Sequence, residues 1–386
     1  MTSVHDFWSE SNQELVAIIR DEILTHGPIR FDRFMDLALY YPEHGYYRSP
    51  DPAPGRSGDF LTAPEAHPIF GATLATQVVR FDEKLGHPDE FTIVEYGAGS
   101  GRLIRPLLAE LRQQHPGLYE RTRYIPRELN SARRDELTEH LTHGGHVERL
   151  EPNMPESGIT GCVMANEFID AFPARRIIMT DDGLREIAVN WSDGWFNEHQ
   201  IPLADPEVSA YIERHRFAPQ PGESIEFHPG ISGWVRELSQ TLTHGFVMII
   251  DYGYPADELF RDHRRQGTLK GYYQHGVTGE IYRGVGRQDL TAHVNFSEVQ
   301  WHAEALGFDV SELTTQADLL ADLGIGDRLV NLQARPDLTA DDYLGVRAAV
   351  LRMIDPGAMG RFRVQVLARG LDTSTSTDRD EHAPGS

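Results

Sequence analysis

FTIVEYGAGSGRL, Phe91 to Leu103, is the stretch on which the fold turns. Phe91 to Val94 is a short apolar run with β-branched members, the composition of a buried strand. Glu95 follows, then glycines at 97, 99 and 101. Residues without a Cβ tolerate positive φ and let bare backbone approach a ligand. Leu103, Leu107, Leu108 and Leu111 then recur at helical spacing. Strand, glycine loop and helix, in that order, form the nucleotide-binding turn of a doubly wound sheet. Glycines in a tight turn can also be purely structural, so the flanking chain has to decide.

Outward from this turn the chain alternates. RTRYIPREL supplies a second strand ending near Glu128, with Pro126 awkward in its ladder, and residues 131–142 read as a helix. A third strand over 161–165 runs into NEFIDAFPA, and a fourth over 246–250 delivers DYGY at 251–254. Helices are expected over 231–242, over 297–306 and in TTQADLLADLGI, and a final strand in MGRFRVQVLARG. Strand-like pieces at 184–191, 195–196 and 224–227, around a helix near 206–215, break the alternation and predict a β-rich insertion at about 183–228. Residues 11–40 read as helices split at Gly27-Pro28, and 40–71 is a Pro-, Gly- and aromatic-rich stretch suited to an ordered loop over a site. The expected architecture is α/β. N-terminal helices and a covering loop occupy 1–75, a parallel-sheet domain with the insertion 76–370, and a polar, disordered tail 371–386.

Composition limits the partners. With 59 acidic against 36 basic residues the formal charge is −23, which disfavours nucleic acid and anionic membrane. Cys162, the only cysteine, excludes an intramolecular disulfide and a Cys-rich zinc site. His140, His143 and His146 lack a carboxylate in helical relation and read as surface residues, so no metal is expected. MTSVHDFWSE has no basic region followed by an apolar core, and no run approaches membrane-spanning length; a cytoplasmic protein is the expectation.

The loop has GxGxG, not the GxGxxG of dinucleotide sites, and an acid stands two residues before the first glycine. This resembles the first motif of class I S-adenosylmethionine methyltransferases. Ligands in such sheets lie outside the carboxyl ends of the strands, where this chain places Glu95 to Gly101, Glu128, Asn166 to Asp170 and Asp251 to Tyr254. Glu128 can accept both ribose hydroxyls, or be merely solvated. Asn166, Glu167 and Asp170 are the candidate reaction end, because two carboxylates can hold a guanidinium plane and aim one nitrogen lone pair. The alternative is that Asp170 caps a helix and Glu167 is solvated. Asp251 and Tyr252 are candidate substrate contacts, with Asp251 otherwise a core-edge acid. His293 is a candidate base or a satisfied structural histidine.

The motifs GPIRFDRFMDLALYYPEHGYY, GDFLTAPEAHPIFG, VEYGAGSGRL, NEFIDAFPA, IIDYGY, GTLKGYYQHG, GRQDLTAHVNF and PGAMGRFRV occur in that order over about residues 25–367. Together they resemble the MidA-like methyltransferases, the group containing the mitochondrial complex I assembly factor with arginine methyltransferase activity. The resemblance implies a class I, Rossmann-like S-adenosylmethionine-dependent fold with a family-specific N-terminal region and insertion. It implies that Gly97, Gly99 and Gly101 contact the cofactor with Glu95 nearby, that Glu128 takes the ribose, and that Asn166, Glu167 and Asp170 line the substrate end. Asp59, Thr62 and Glu65 of GDFLTAPE are implied to cover the cofactor. YIPRELNSA departs from the family pattern of an uninterrupted strand followed by Glu-x-Ser-Pro. For the mitochondrial member the implied substrate is an arginine of a respiratory complex I subunit. The leading expectation for this chain is methyl transfer from S-adenosylmethionine to an arginine side chain of a protein substrate; the rival readings are a small-molecule methyltransferase and a cofactor-binding assembly factor that acts by holding a partner.

Overall fold

Along the central strands successive side chains are buried on opposite faces. Ile93, Cys162, Met164, Phe246 and Met248 join one core, and Val94, Val163, Ala165, Val247 and Ile249 the other. Strands apolar on both faces need helices on both sides, and that is the architecture of the computed structural model. It describes residues 4–49, 62–261, 264–273, 276–333, 335 and 338–371. Asp59 and nearly all of the 371–386 tail lie outside the described residues.

Four parallel strands run in the spatial order Thr122–Arg127, Phe91–Tyr96, Ile159–Asn166 and Leu242–Asp251. Arg363–Arg369 joins antiparallel to Leu242–Asp251, and the short pairs Asp309–Val310 and Thr314–Thr315 border it. Phe91–Tyr96 has the next strand on one side and the third on the other, so the strand order reverses at the glycine loop. Thr122–Arg127 is an edge strand, which is why Pro126 is tolerated.

Against one face pack Ile69–Lys84, Ile104–Gln114 and the late helices Gln316–Asp322 and Ala340–Ile354. Gly230–Thr241 and Phe296–Ala305 cover the other. Ile69–Lys84 runs straight through the division expected at residue 75 and belongs to the sheet domain. Its Gly71 is required by close approach, since a Cβ there would stand 2.3 Å from the Leu103 carbonyl oxygen.

A second lobe is assembled from three separated parts of the chain. Leu15, Ile19, Phe31, Phe34 and Met35 share a core with Val189, Trp195 and Phe196 of the insertion and with Ile281, Val285 and Leu290. Ile29–Arg30 even pairs with Gly183–Ser192, Ile29 opposite Val189. The inserted sheet begins with Arg175–Thr180, ahead of the expected 183, and ends with Ser224–Phe227. Arg175 is buried and bound by Glu186 at 2.7 Å and Asp205 at 2.5 Å, so its charge is neutralised within the lobe.

Candidate functional site

The glycine loop opens on a cleft of about 1110 Å³, its open mouth included, between the sheet edge and the second lobe. Gly97, Gly99 and Gly101 have φ of 67°, 52° and 78°, the left-handed region that side chains resist. A Cβ on Gly99 would meet no atom within 4 Å, so only backbone faces the cleft there.

Four carboxylates line the same space: Glu65, Glu95, Glu128 and Glu167. Glu95 stands one residue before the end of its strand and is buried, with the Tyr124 hydroxyl donating to it at 2.7 Å. Burial, aided by nearby Glu128 and opposed by Tyr124, pushes its pKa up to about 8. Glu128 accepts from the Gly99 N–H at 2.8 Å with one oxygen and from the Asn130 N–H at 2.8 Å with the other. Each oxygen keeps a further lone pair for a ligand hydroxyl.

NEFID does not form the helix start considered above. Glu167 has φ 48°, its N–H donates to the Ile250 carbonyl at 2.8 Å, and the chain turns sharply after the strand. Its carboxylate accepts from the Ala63 N–H at 3.4 Å and the Asn166 amide at 3.3 Å. It keeps some surface at the cleft, yet burial and the neighbouring Asp251 and Glu65 raise its pKa to about 8. The Asn166 Oδ1 is buried with no hydrogen-bond donor, an acceptor left open beside Glu167. Thr62 and Glu65 form a capping box at the start of Ala63–Ala66 and face the same cleft.

Asp170, Asp251, Tyr252 and His293 stand elsewhere. None of them lines the cleft. Asp251 is fully buried and accepts from the N–H groups of Phe168 at 3.0 Å, Ile169 at 2.7 Å and Tyr252 at 2.7 Å, so it fixes the NEFID turn from beneath instead of meeting substrate. Asp170 is buried behind the turn, its pKa raised well above the ordinary range by burial and by Asp251, Asp289 and Glu167. Tyr252 packs on Phe362 with ring centroids 3.9 Å apart. His293 lines a separate, smaller pocket with Glu226, Arg264 and Thr268. Burial and the nearby arginines lower its pKa to about 4, which leaves it a weak base. His146, expected at the surface, is buried against the Tyr119 hydroxyl at 2.9 Å.

Tyr40, Tyr47, Leu129 and Asn130 also line the cleft and were not foreseen. The tyrosines come from YYPEHGYY, whose aromatic density already demanded a burial site. Leu129 is 56 % exposed beside Glu128, apolar surface that a flat base can cover. Bare glycine backbone, an apolar lip, an open acceptor and four carboxylates set among Arg102, Arg127 and Arg133 fit a nucleoside with an amino-acid tail such as S-adenosylmethionine, whose sulfonium and ammonium charges suit the carboxylates and whose own carboxylate suits an arginine.

A family described as "Putative S-adenosyl-L-methionine-dependent methyltransferase" matches residues 73–314. A crystal structure from Burkholderia thailandensis, bound to S-adenosyl-homocysteine, is 31% identical with a TM-score of 0.82, covering 96% of this chain and 95% of that one. The mitochondrial protein arginine methyltransferase NDUFAF7 of Xenopus tropicalis is 27% identical over 87% of this chain and 81% of its own length. The human protein of that name is 25% identical over 80% and 73% respectively.

Proposed function

The chain belongs to the S-adenosyl-L-methionine-dependent methyltransferases of the class I fold, and from that premise we propose that it methylates an arginine side chain of a protein. The observation carrying the arginine reading is Glu167. It is a cleft carboxylate beside the open Asn166 Oδ1, and among the described residues no basic side chain pairs with it. The names of the relatives support the same acceptor.

The cofactor, when bound, supplies an electrophilic methyl group on a sulfonium. In this reading Gly97, Gly99 and Gly101 admit it to the backbone, Glu128 accepts its ribose hydroxyls, and Glu95 faces its cationic end. Thr62 and Glu65 close the cleft from the second side. Glu167 and Asn166 accept hydrogen bonds from a guanidinium and fix its plane, leaving one nitrogen lone pair free for in-line attack. The N–CH₃ bond forms as the S–CH₃ bond breaks. The extra nitrogen proton passes to Glu167, whose raised pKa suits it to receive one, and then to solvent. Asp170, buried behind the turn, acts as a positioning residue.

Among the described residues no helix is long and apolar enough to cross a membrane. A cytoplasmic site of action is part of the proposal, supported by the single, buried thiol of Cys162. Incubating the protein with tritiated cofactor and cell extract tests the acceptor: label in a protein band that hydrolyses to methylarginine supports it. Label confined to small molecules overturns it, as does labelling that persists undiminished in Glu167→Gln.

A further inference from the structure

Asn130 makes more bonds than a helix cap requires. Its Oδ1 accepts from the N–H groups of Ala132 at 3.0 Å and Arg133 at 3.3 Å, the usual N-cap of Ser131–His143. A serine or aspartate would do that equally well. The rest needs the amide. Its Nδ2 donates to two carbonyl oxygens of the second lobe, Tyr47 at 3.1 Å and Ser49 at 3.0 Å. Only an asparagine-type side chain joins an acceptor to two donors in one short plane. The residue is 5 % exposed, so these bonds are shielded from water.

What lies at either end gives the amide its meaning. On one side the Asn130 N–H holds Glu128, which in turn accepts from Gly99 of the cofactor loop. On the other, Tyr47 is held by its N–H to the Leu39 carbonyl at 2.9 Å and by its hydroxyl to Asp289 at 2.8 Å. Its ring stacks on Tyr40 at 5.6 Å, and the Tyr40 hydroxyl donates to the Ala171 carbonyl at 2.9 Å, next to Asp170. A continuous line of hydrogen bonds and ring contact thus runs from Gly99 to the turn carrying Glu167.

We propose that Asn130 is a positioning residue through which occupancy of the glycine and Glu128 cradle orders the Tyr40 and Tyr47 wall of the acceptor end. This rests on the cofactor assignment above. By linkage, a ligand that fixes Glu128 also fixes whatever Asn130 holds, and the tyrosine wall returns the effect.

Asn130→Ser keeps the cap acceptor and the backbone N–H but loses the amide donor. The test is amide hydrogen exchange at Tyr46 and Tyr47, with and without saturating S-adenosyl-homocysteine. In the wild-type protein the ligand should slow both amides about tenfold, the equivalent of one to two hydrogen bonds. In Asn130→Ser, with S-adenosyl-homocysteine again at saturation, this protection should disappear. Asn130→Asp keeps the cap and turns a carboxylate toward the same carbonyls, so it should behave alike and serves if the serine variant does not fold. Absence of wild-type protection, or its survival in a folded variant, overturns the coupling. A wild-type protein that does not bind S-adenosyl-homocysteine overturns the cofactor assignment instead.

Discussion

Cofactor binding should release protons, and two carboxyls set the number. Glu95 and Glu167 are both raised to about 8, chiefly by burial, so near pH 7 each is about nine-tenths protonated in the free protein. S-adenosylmethionine brings a sulfonium and an ammonium charge, and a cation a few ångströms away lowers a carboxyl pKa by about 1–3 units. A fall to about 6 leaves each group about one-tenth protonated, a release of about 0.8 proton per group and about 1.6 in total. The sign follows from the free protein. Native pKa values above the unfolded carboxyl range mean that the folded chain binds more protons, so its stability falls as pH climbs from about 4.5 to about 8. The ligand should offset that loss. Calorimetric titration near pH 7 in phosphate and in Tris reads the release from the dependence of the heat on buffer ionisation enthalpy. S-adenosyl-homocysteine, without the sulfonium charge, should release about half as many protons, and Glu95→Gln should remove about 0.8 from the value for S-adenosylmethionine. A heat independent of buffer, or equal release with both ligands, would refute the assignment of Glu95 to the cationic end and of Glu167 to the methyl-transfer end beside the sulfonium.

Gly99→Ala and Gly101→Ala should separate binding from folding. The first should cost roughly 1–2 kcal/mol of stability for its positive φ while weakening cofactor binding at least tenfold, because its Cβ projects into open cleft. The second should lose more stability in urea denaturation, since its Cβ would press the Leu137 side chain at 3.2 Å. Asp251→Ala strips three backbone N–H groups of their acceptor and should lower stability by about 3–5 kcal/mol, with loss of activity through the NEFID turn, measured by urea unfolding and methyl transfer. Glu298, bound by Arg214, His215 and His302, has its pKa lowered to about 2 by those bonds against the opposing cost of burial. Its stabilisation of about 3 kcal/mol is present above the ordinary glutamate range and lost as pH falls toward about 2. Glu298→Gln should therefore be less stable than wild type near neutral pH and match it near pH 2.

The sheet was legible because buried parallel strands are short, apolar and bounded by polar residues that serve the site: FTIV, GCVMA and FVMII all lie in the central sheet. The cleft side was legible for the same reason at Glu95, Glu128 and Glu167, each just past an apolar run. Ile69–Lys84 was missed because its apolar residues sit among Gly and Thr under a Pro-rich prelude. Arg175–Thr180 was hidden by the arginines that open it, one of them buried only because Glu186 and Asp205 meet it from distant positions. Asp251 shows the limit most plainly. An acid at a strand end can face outward to a ligand or back to the neighbouring turn, and only the path of the NEFID backbone decides between them. Asn130, likewise, looks in sequence like any helix cap.

The three-part second lobe bears on how the chain comes to be made. On the ribosome, the strands around the glycine loop and Asn166 are complete once Leu242–Asp251 has emerged. The tyrosine wall leans on Asp289, and its lobe is closed by Ile281, Val285 and Leu290. Contacts between residues some 240 positions apart, such as Tyr47 with Asp289, form late and slowly. The faces of the central sheet are likewise finished only by Phe296–Ala305, Gln316–Asp322 and Ala340–Ile354 and its edge by Arg363–Arg369, so neither the cofactor cradle nor the tyrosine wall is fully packed until nearly the whole chain has been made.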